Sequence, residues 1–408
     1  MNFLYQIGIQ LAALLLPITA LFSSKMKLFI EGRRKTFSLL KEKITPEHQW
    51  IWIHVASLGE YEQGLPLMEQ FKQQHPQYKI VLTFFSPSGF EIRKNNKIAD
   101  ITLYLPLDTR RNAKKFLNLV NPEMAFFVKY EFWPNYLNEL GIRKIPTYLV
   151  SGIFRPDQLF FQSYGGFYRK SLRSFTRFFV QNTDSSHLLQ SIGFTNVTVN
   201  GDTRFDRVAQ IVERAQPLHF IEQFKNETFT VVIGSSWIDD EEVYLSILNK
   251  SRNTKWIIAP HNIKKEEIAR LQNKIKRKTV LFTRYEEEDI AGADVFIIDT
   301  IGILTSIYAY ADVAYVGGGF KTGLHNILEP ATYGVPVIIG PEYEKFQEAK
   351  DLVALGSCLV IHDGEELSEV LIQLENAVFR KELGSRNSAF VLQNKNATQV
   401  IMRSIFNT

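Results

Sequence analysis

Cysteine is nearly absent from this chain: Cys358 is the only one in 408 residues. That excludes an intramolecular disulfide framework and a multi-cysteine metal site, and it fits a reducing compartment. Set between Gly356 and the apolar Leu359-Val360-Ile361, it reads as a small buried hydrophobe. Excess charge is also scarce. The 47 Lys and Arg against 43 Asp and Glu leave a formal +4, too little to imply a nucleic-acid partner. No Gly-x-Gly-x-x-Gly lies at a strand end, so the dinucleotide-binding fingerprint is missing. Gly319-Phe320-Lys321-Thr322 lacks the Gly-Lys-Ser/Thr ending of a phosphate loop. There is no Gly-x-Ser-x-Gly nucleophile elbow. No Asp-x-Asp or His-x-x-x-His pair offers a cage for a divalent ion. Redox chemistry, nucleotide hydrolysis and triad hydrolysis all lose ground, and no metal or cofactor is expected.

What is present is a globular composition, 45% hydrophobic and 22% charged, long enough for two domains by the prior of roughly 150 residues each. The amino terminus is the exception. Phe3–Phe22 carries no charge, and Lys25, Lys27, Arg33, Arg34 and Lys35 follow with only Glu31 in opposition. An apolar stretch of about 20 residues can cross a hydrocarbon core, and the basic flank places the remaining body in the cytoplasm. Residues 1–35 are therefore expected to be an apolar membrane-anchor helix and its basic flank. Gln6 and Gln10 leave open a helix lying in the membrane plane.

From Gln49 onward, short β-branched or aromatic runs alternate with helical stretches, the pattern of a parallel sheet covered by helices. Seven strand candidates precede Asp206 and seven follow Phe229. The two halves open alike: Ile53-His54-Val55-Ala56-Ser57-Leu58-Gly59-Glu60, and then Val232-Ile233-Gly234-Ser235-Ser236-Trp237-Ile238-Asp239-Asp240-Glu241. The expected fold class is α/β, two Rossmann-like domains facing a cleft. Residues 36–210 form the first domain, 211–226 a linker and 227–408 the second.

The most informative segment is Tyr315–Pro341. A strand runs into Gly317-Gly318-Gly319, then Lys321, Gly323 and Leu324-His325-Asn326, before a helix bearing Glu329. Glycines let a backbone approach a ligand, and a helix N-terminus beside a lysine suits an anion. A phosphate-bearing ligand whose hydroxyls meet Glu329 is the expectation; a plain strand–helix turn is the alternative.

Several motifs recur in order: Ala56-Ser57-Leu58-Gly59-Glu60, Ser86-Pro87-Ser88-Gly89, Tyr104-Leu105-Pro106-Leu107-Asp108 and Glu131-Phe132-Trp133-Pro134-Asn135. Gly201-Asp202-Thr203-Arg204-Phe205-Asp206 and His325-Asn326-Ile327-Leu328-Glu329 complete the series. With these motifs in this order, the chain resembles the 3-deoxy-D-manno-octulosonic acid (Kdo) transferases of lipopolysaccharide synthesis over almost its full length. The resemblance implies the two-domain glycosyltransferase B fold and an inverting transfer of Kdo from CMP-Kdo to a hydroxyl of a lipid A precursor (lipid IVA), with release of CMP. It implies work at the cytoplasmic face of the inner membrane, with the membrane surface, the donor and the acceptor lipid as partners. Another two-domain sugar-nucleotide transferase or a sugar-nucleotide 2-epimerase is the alternative enzyme, and a catalytically silent nucleotide-sugar sensor the alternative of a different class.

By that resemblance Glu60 is the catalytic base, while Glu131 and Arg204 stabilise the transition state. Each has a plainer reading. Ser57-x-x-Glu60 is also a capping box, Glu131 can be a loop acid, and Arg204 can pair with Asp202 or Asp206. The resemblance places the nucleotide on Pro260 and His261, on Gly302, Ile303 and Leu304, and on Asn326, Ile327, Leu328 and Glu329. Two departures stand out. Many relatives have Pro-Arg-His where this chain has Pro260-His261-Asn262, and Gly-Glu-Leu where it has Gly302-Ile303-Leu304. Lys321, Lys264 or Lys265 are candidates to replace the missing cation. The aromatic segment Phe154–Phe179, with Phe160, Phe161, Tyr164, Phe167 and Tyr168, reads either as core or as a surface for a phosphorylated lipid.

Overall fold

The computed structural model describes residues 2–406. Two compact units divide the chain: residues 1–207 with 395–408, and residues 208–394. Each unit carries one seven-stranded sheet in which every pairing is parallel. In the first unit the strands are β1 (Gln49–Val55), β2 (Tyr78–Phe84), β3 (Ile101–Tyr104), β4 (Met124–Val128), β5 (Thr147–Gly152), β6 (Arg177–Val180) and β7 (Val197–Val199), in the order 3-2-1-4-5-6-7. In the second they are β8 (Thr230–Ser236), β9 (Lys255–Pro260), β10 (Thr279–Leu281), β11 (Val295–Ile297), β12 (Val313–Val316), β13 (Val337–Ile339) and β14 (Cys358–Val360), in the order 10-11-9-8-12-13-14. All fourteen strands expected from the sequence are there.

Because helices cover both faces, the central strands are buried along nearly their whole length rather than alternating buried and exposed, as β1 is from Trp50 to Val55. Along β1, Trp50 and Trp52 enter one buried cluster with Phe116, Phe127 and Tyr136. Ile51, Ile53 and Val55 enter the other with Phe71, Phe84 and Phe126. The second sheet is covered in the same way, with Trp256, Ile258 and Tyr315 on one face and Ile257, Phe296 and Ala314 on the other. Cys358 is buried, and that burial pushes its thiol up.

The expected membrane-anchor helix is corrected. Among the described residues no helix is long and apolar enough to cross a membrane. The amino-terminal helix covers Asn2–Thr19, 18 residues with Pro17 inside it, about 27 Å at 1.5 Å per residue against a core of about 30 Å. Its polar side chains are also used: Tyr5 donates to Asp108 Oδ2 at 2.6 Å and Gln6 Nε2 to Asn135 Oδ1 at 2.6 Å. Tyr5 lies against Phe167 and Tyr168 as well, so part of the aromatic segment receives this helix, while Phe154, Phe160, Phe175, Phe178 and Phe179 are core.

The basic flank is likewise part of the fold. Ser24–Lys43 is one helix, capped by Ser23. Gly32 lets it lie on the Tyr104 ring, which a Cβ would meet at 2.2 Å. Arg33 is buried, donating to the carbonyls of Phe29 (3.0 Å) and Phe85 (2.6 Å) with its guanidinium 3.4 Å from the Phe29 ring centre. Burial lowers it to about 9. Arg33 is therefore not available to a lipid headgroup.

The last helix, Ala397–Phe406, expected in the second domain, packs on the first. Ile401 and Met402 enter the cluster of Phe71 and Phe126, and Phe406 stacks on His75 at 3.7 Å. Asp206 anchors its start, accepting from Asn396 N (2.5 Å), Thr398 N (2.7 Å) and Thr398 Oγ1 (2.6 Å). Asp206→Ala should therefore destabilise the chain by about 1 kcal/mol, the usual weight of an N-cap. Thermal unfolding checks this, and an unchanged Tm would remove the anchoring role.

Candidate active site

In the first sheet the chain order reverses between β1 and β4, and in the second between β8 and β12. Open α/β sheets bind ligands in the crevice outside the carboxyl ends of such strands. Both positions carry the residues singled out in the sequence.

Glu60 follows β1. The helix Leu58–Gln74 begins after Ser57, and Glu60 Oε2 accepts the Ser57 N–H at 3.0 Å and the Ser57 hydroxyl. The capping box is thus formed, and Glu60 remains half-buried rather than enclosed. The surrounding motifs hold this turn in place. Gly89 allows the helix Pro87–Arg93 to approach it, since a Cβ there would stand 2.7 Å from Leu58 N and Ser57 C. Ser86 N bonds Ala56 O at 2.7 Å. From the far side Thr203 Oγ1 donates to Gln63 O at 2.6 Å, and Gln63 Nε2 reaches Asp202 at 2.9 Å.

Glu131 follows β4. Its Oε2 lies 3.0 Å from His54 Nε2, on β1, and accepts from Trp133 Nε1 at 2.8 Å. The helix Pro134–Ile142 that follows is capped from a distance by Asp108, which accepts Asn135 N and Tyr136 N, each at 3.0 Å. Tyr136 hydroxyl returns to Pro106 O at 3.0 Å. The Tyr-Leu-Pro-Leu-Asp and Glu-Phe-Trp-Pro-Asn motifs are therefore one structural device that fixes Glu131 and Trp133.

Arg204 has Asp202 as a partner, one of the two alternatives open in the sequence. Its Nε donates to Oδ2 at 2.8 Å and its N–H to Oδ1 at 2.9 Å. Burial alone would raise the Asp202 carboxyl, but Arg204 and the Gln63 amide hold it below the ordinary carboxylate range. Tyr130 sits among these groups, feeling the charges of Arg155, Glu60, Arg204 and Asp202. Lys129 and Arg155 flank its ring at 5.2 and 5.3 Å, and neither cation has an ion-pair partner among the described residues. Lys129 takes the left-handed φ of 68°, a conformation that costs a non-glycine residue about 1 kcal/mol or more and collects at functional sites. Sequence reasoning missed His54, Lys129, Tyr130 and Arg155. His54 stood within a quoted motif, but only the sheet shows that it faces β4.

In the second unit the three expected loops converge. His261 follows Pro260 at the end of β9, with its N–H on Ser236 O at 2.9 Å. Its ring stacks on Trp237 at 4.1 Å and on His325 at 4.7 Å, and Trp237 Nε1 donates to His325 Nε2 at 2.9 Å. Burial, reinforced by His261, lowers His325 to about 4, so the ring is neutral near pH 7. Gly302, at a φ of 100°, turns the chain through Ile303 into the short helix Leu304–Ile307. Thr305 Oγ1 donates to Glu329 Oε2 at 2.7 Å, and Asn326 Nδ2 to Glu329 Oε1 at 3.0 Å. Leu328 N donates to Asn326 Oδ1 at 3.2 Å, and Ile327 is buried. Trp237, Thr305 and His325 were not picked out as site residues from the sequence.

The glycine run has a different occupant from the one expected. Gly318 N donates to the buried carboxylate of Asp240 at 3.0 Å, which also accepts from Tyr315 hydroxyl (2.7 Å) and Trp237 N (2.8 Å). An internal anion thus takes up the amide that a phosphate was expected to meet. Lys321 pairs with Asp239, so the proposed replacement for the missing cation is already engaged.

A family profile described as 3-deoxy-D-manno-octulosonic-acid transferase (kdotransferase) matches residues 31–207, ending where the first unit's continuous segment ends. A 3-deoxy-D-manno-octulosonic acid transferase of Rickettsia bellii is 28% identical over 345 residues, 82% of this chain and 81% of the relative. One from Haemophilus influenzae is 24% identical over 408 residues, covering 95% and 94%. Among solved structures, a UDP-GlcNAc 2-epimerase from Neisseria meningitidis superposes with a TM-score of 0.63 at 14% identity, covering 88% of this chain and all of the other, a likeness of fold alone. In its motifs, in these relatives and in the profile over residues 31–207, the chain is similar to the 3-deoxy-D-manno-octulosonic acid transferases.

Proposed function

We propose that this chain transfers Kdo from CMP-Kdo to a hydroxyl of a lipid A precursor, with inversion at the anomeric carbon and release of CMP. The observation that carries the reading is the pair of carboxylates at the diverging carboxyl ends of β1 and β4, Glu60 half-buried and Glu131 held by His54 and Trp133. The acceptor oxygen attacks the anomeric carbon, its proton passes to Glu60, and the bond to the CMP phosphate breaks. A carboxylate does the same work for water in inverting glycosidases. Glu131 faces the positive charge that develops at the sugar ring. Arg204, already paired with Asp202, holds its guanidinium fork toward the donor's carboxylate or phosphate.

The first unit carries the acceptor chemistry, with Lys129 and Arg155 meeting the acceptor's negative charge. The second carries the nucleotide, on the Pro260-His261 turn, the Gly302-Ile303-Leu304 turn and the Asn326–Glu329 loop, where Glu329 meets ribose hydroxyls. The arginine that many relatives carry in this motif is absent here, and the reading has the donor phosphate rely on backbone and neutral donors at this turn. The reading assigns no metal or cofactor to the transfer.

The acceptor's lipid chains call for a membrane surface, and the Asn2–Thr19 helix supports one. With Tyr5 and Gln6 turned inward, its outer side exposes Phe3, Leu4, Leu11, Leu14, Leu15 and Ile18, continued by Leu21 and Phe22. Lys25, Lys27, Arg34 and Lys35 are exposed beside them. Such a helix lies in the interface plane with its apolar side among acyl chains, each nearby cation adding about 1 kcal/mol at an anionic leaflet. We place it at the cytoplasmic face of the inner membrane.

Two outcomes test the reading. Purified chain incubated with CMP-Kdo and lipid A precursor should release CMP and add Kdo mass to the lipid, and Glu60→Ala should lower turnover about 10²- to 10⁴-fold; near-normal turnover by folded Glu60→Ala would sink the base assignment. Leu14→Asp with Phe22→Asp, at positions 71% and 85% exposed, should weaken binding to anionic vesicles at least about tenfold and leave turnover on detergent-dispersed acceptor intact. Equal vesicle binding by the variant would remove the membrane helix.

A further inference from the structure

His54 is fully buried as the penultimate residue of β1, and both its ring nitrogens are engaged. Nδ1 stands 3.1 Å from the Thr83 carbonyl oxygen and 2.8 Å from Thr83 Oγ1. Thr83 Oγ1 can donate to Nδ1 or accept from it, so the ring's proton can stand on either nitrogen. On the other side Nε2, Glu131 Oε2 and Trp133 Nε1 form a triangle with edges of 3.0, 2.8 and 3.0 Å. The indole brings one hydrogen to it. With Nε2 bare and Glu131 ionised, two lone pairs would face each other across 3.0 Å in a site closed by Trp52, Phe127 and Trp133. A buried polar contact of that kind costs stability. A proton on Nε2, donated to Oε2, removes that cost.

We propose that His54 is a positioning residue for Glu131, the two sharing a single proton that pins Oε2. Glu131 Oε1 has no partner among the described residues, and it is the oxygen left for a substrate. The Nε2–H bond holds Oε2 in place while Oε1 faces the positive charge that grows at a reacting sugar carbon. No covalent bond forms or breaks between the two residues; the Nε2 proton stays hydrogen-bonded to Oε2. Thr83 sets the ring from behind, and Thr83 Oγ1 is itself held by Trp52 Nε1 at 2.8 Å. The kinetic consequence rests on the transferase reading above, whereas the shared proton is a property of the free chain.

Two measurements separate these layers. In the full chain labelled with ¹⁵N-histidine and free of ligand, NMR should show an exchangeable proton at His54 Nε2, displaced far downfield. It should persist in Trp133→Phe and vanish in Glu131→Ala. An Nε2 without such a proton in the unaltered chain overturns the proposal, whatever the enzyme does. In turnover, His54→Asn should lower kcat about 10- to 100-fold, the range for removing an outer partner of a working group, with KM for CMP-Kdo unchanged. In a Glu131→Ala background the same substitution should add little, because the two act as one unit. Full additivity overturns the positioning role. Should His54→Asn not fold, the NMR result on the unaltered chain and on Trp133→Phe decides. An unaltered chain that shows the shared proton yet transfers no Kdo would count against the proposed function and not against the pair.

Discussion

The right-handed crossover of a parallel sheet is the constraint on which everything else here depends. Successive strands are added on one side of β1 and then, after β3, on the other, so the helices leave β1 and β4 in opposite directions. The carboxyl ends of these two strands are left open, and the turns that follow them carry Glu60 and Glu131. The same reversal between β8 and β12 leads into Trp237 and the glycine run. Neither site depends on a long flexible loop. Each stands on central strands of its sheet, buried on both faces.

One local device appears twice and serves different ends. In each unit the first helix after the central strand hooks an acid at its third position to the N–H of its cap residue, Glu60 to Ser57 and Asp240 to Trp237. Asp240 is enclosed, with Gly318 and Tyr315 using its remaining capacity; burial raises its carboxyl, and these donors oppose that rise. It is a structural anion around which the glycine run folds. Glu60 is half-buried and, among the described residues, hydrogen-bonded only within its own turn. A capping box and a catalytic base therefore do not exclude each other, since a carboxylate has more lone pairs than the cap uses.

The amino-terminal helix inverts the ordinary arrangement of an amphipathic helix. Tyr5 and Gln6 face the protein because the surface beneath them is polar: Asp108 and Asn135 stand at the start of the Pro134–Ile142 helix, which also follows Glu131 and Trp133. Its leucines and phenylalanines are left to solvent. Burying them against lipid, as proposed above, would recover about 25 cal/mol for each Å² of apolar surface covered. The hydrogen bonds from Tyr5 and Gln6 tie this helix to the same polar frame that fixes Glu131.

Periodicity and composition determined the two parallel sheets, their fourteen strands and the burial of Cys358, because β-branched and aromatic runs of strand length have few other ways to be buried. The motifs also identified Glu60, Glu131, Arg204 and the three nucleotide loops as residues to watch. Tertiary structure decided what each one touches. His54 reads locally as one more strand residue; only the pairing of β1 with β4 brings it to Glu131. Arg204 could not be assigned between Asp202 and Asp206 until Asp206 was seen to hold a helix nearly two hundred residues later in sequence. Lys321 and the glycine run looked like a phosphate site until Asp239 and Asp240 arrived beside them. The apolar amino terminus gave its length without its orientation, which hydrogen bonds to Asp108 and Asn135 supply. Local sequence carries propensity and period, whereas partners distant along the chain become neighbours only when the crossovers are complete.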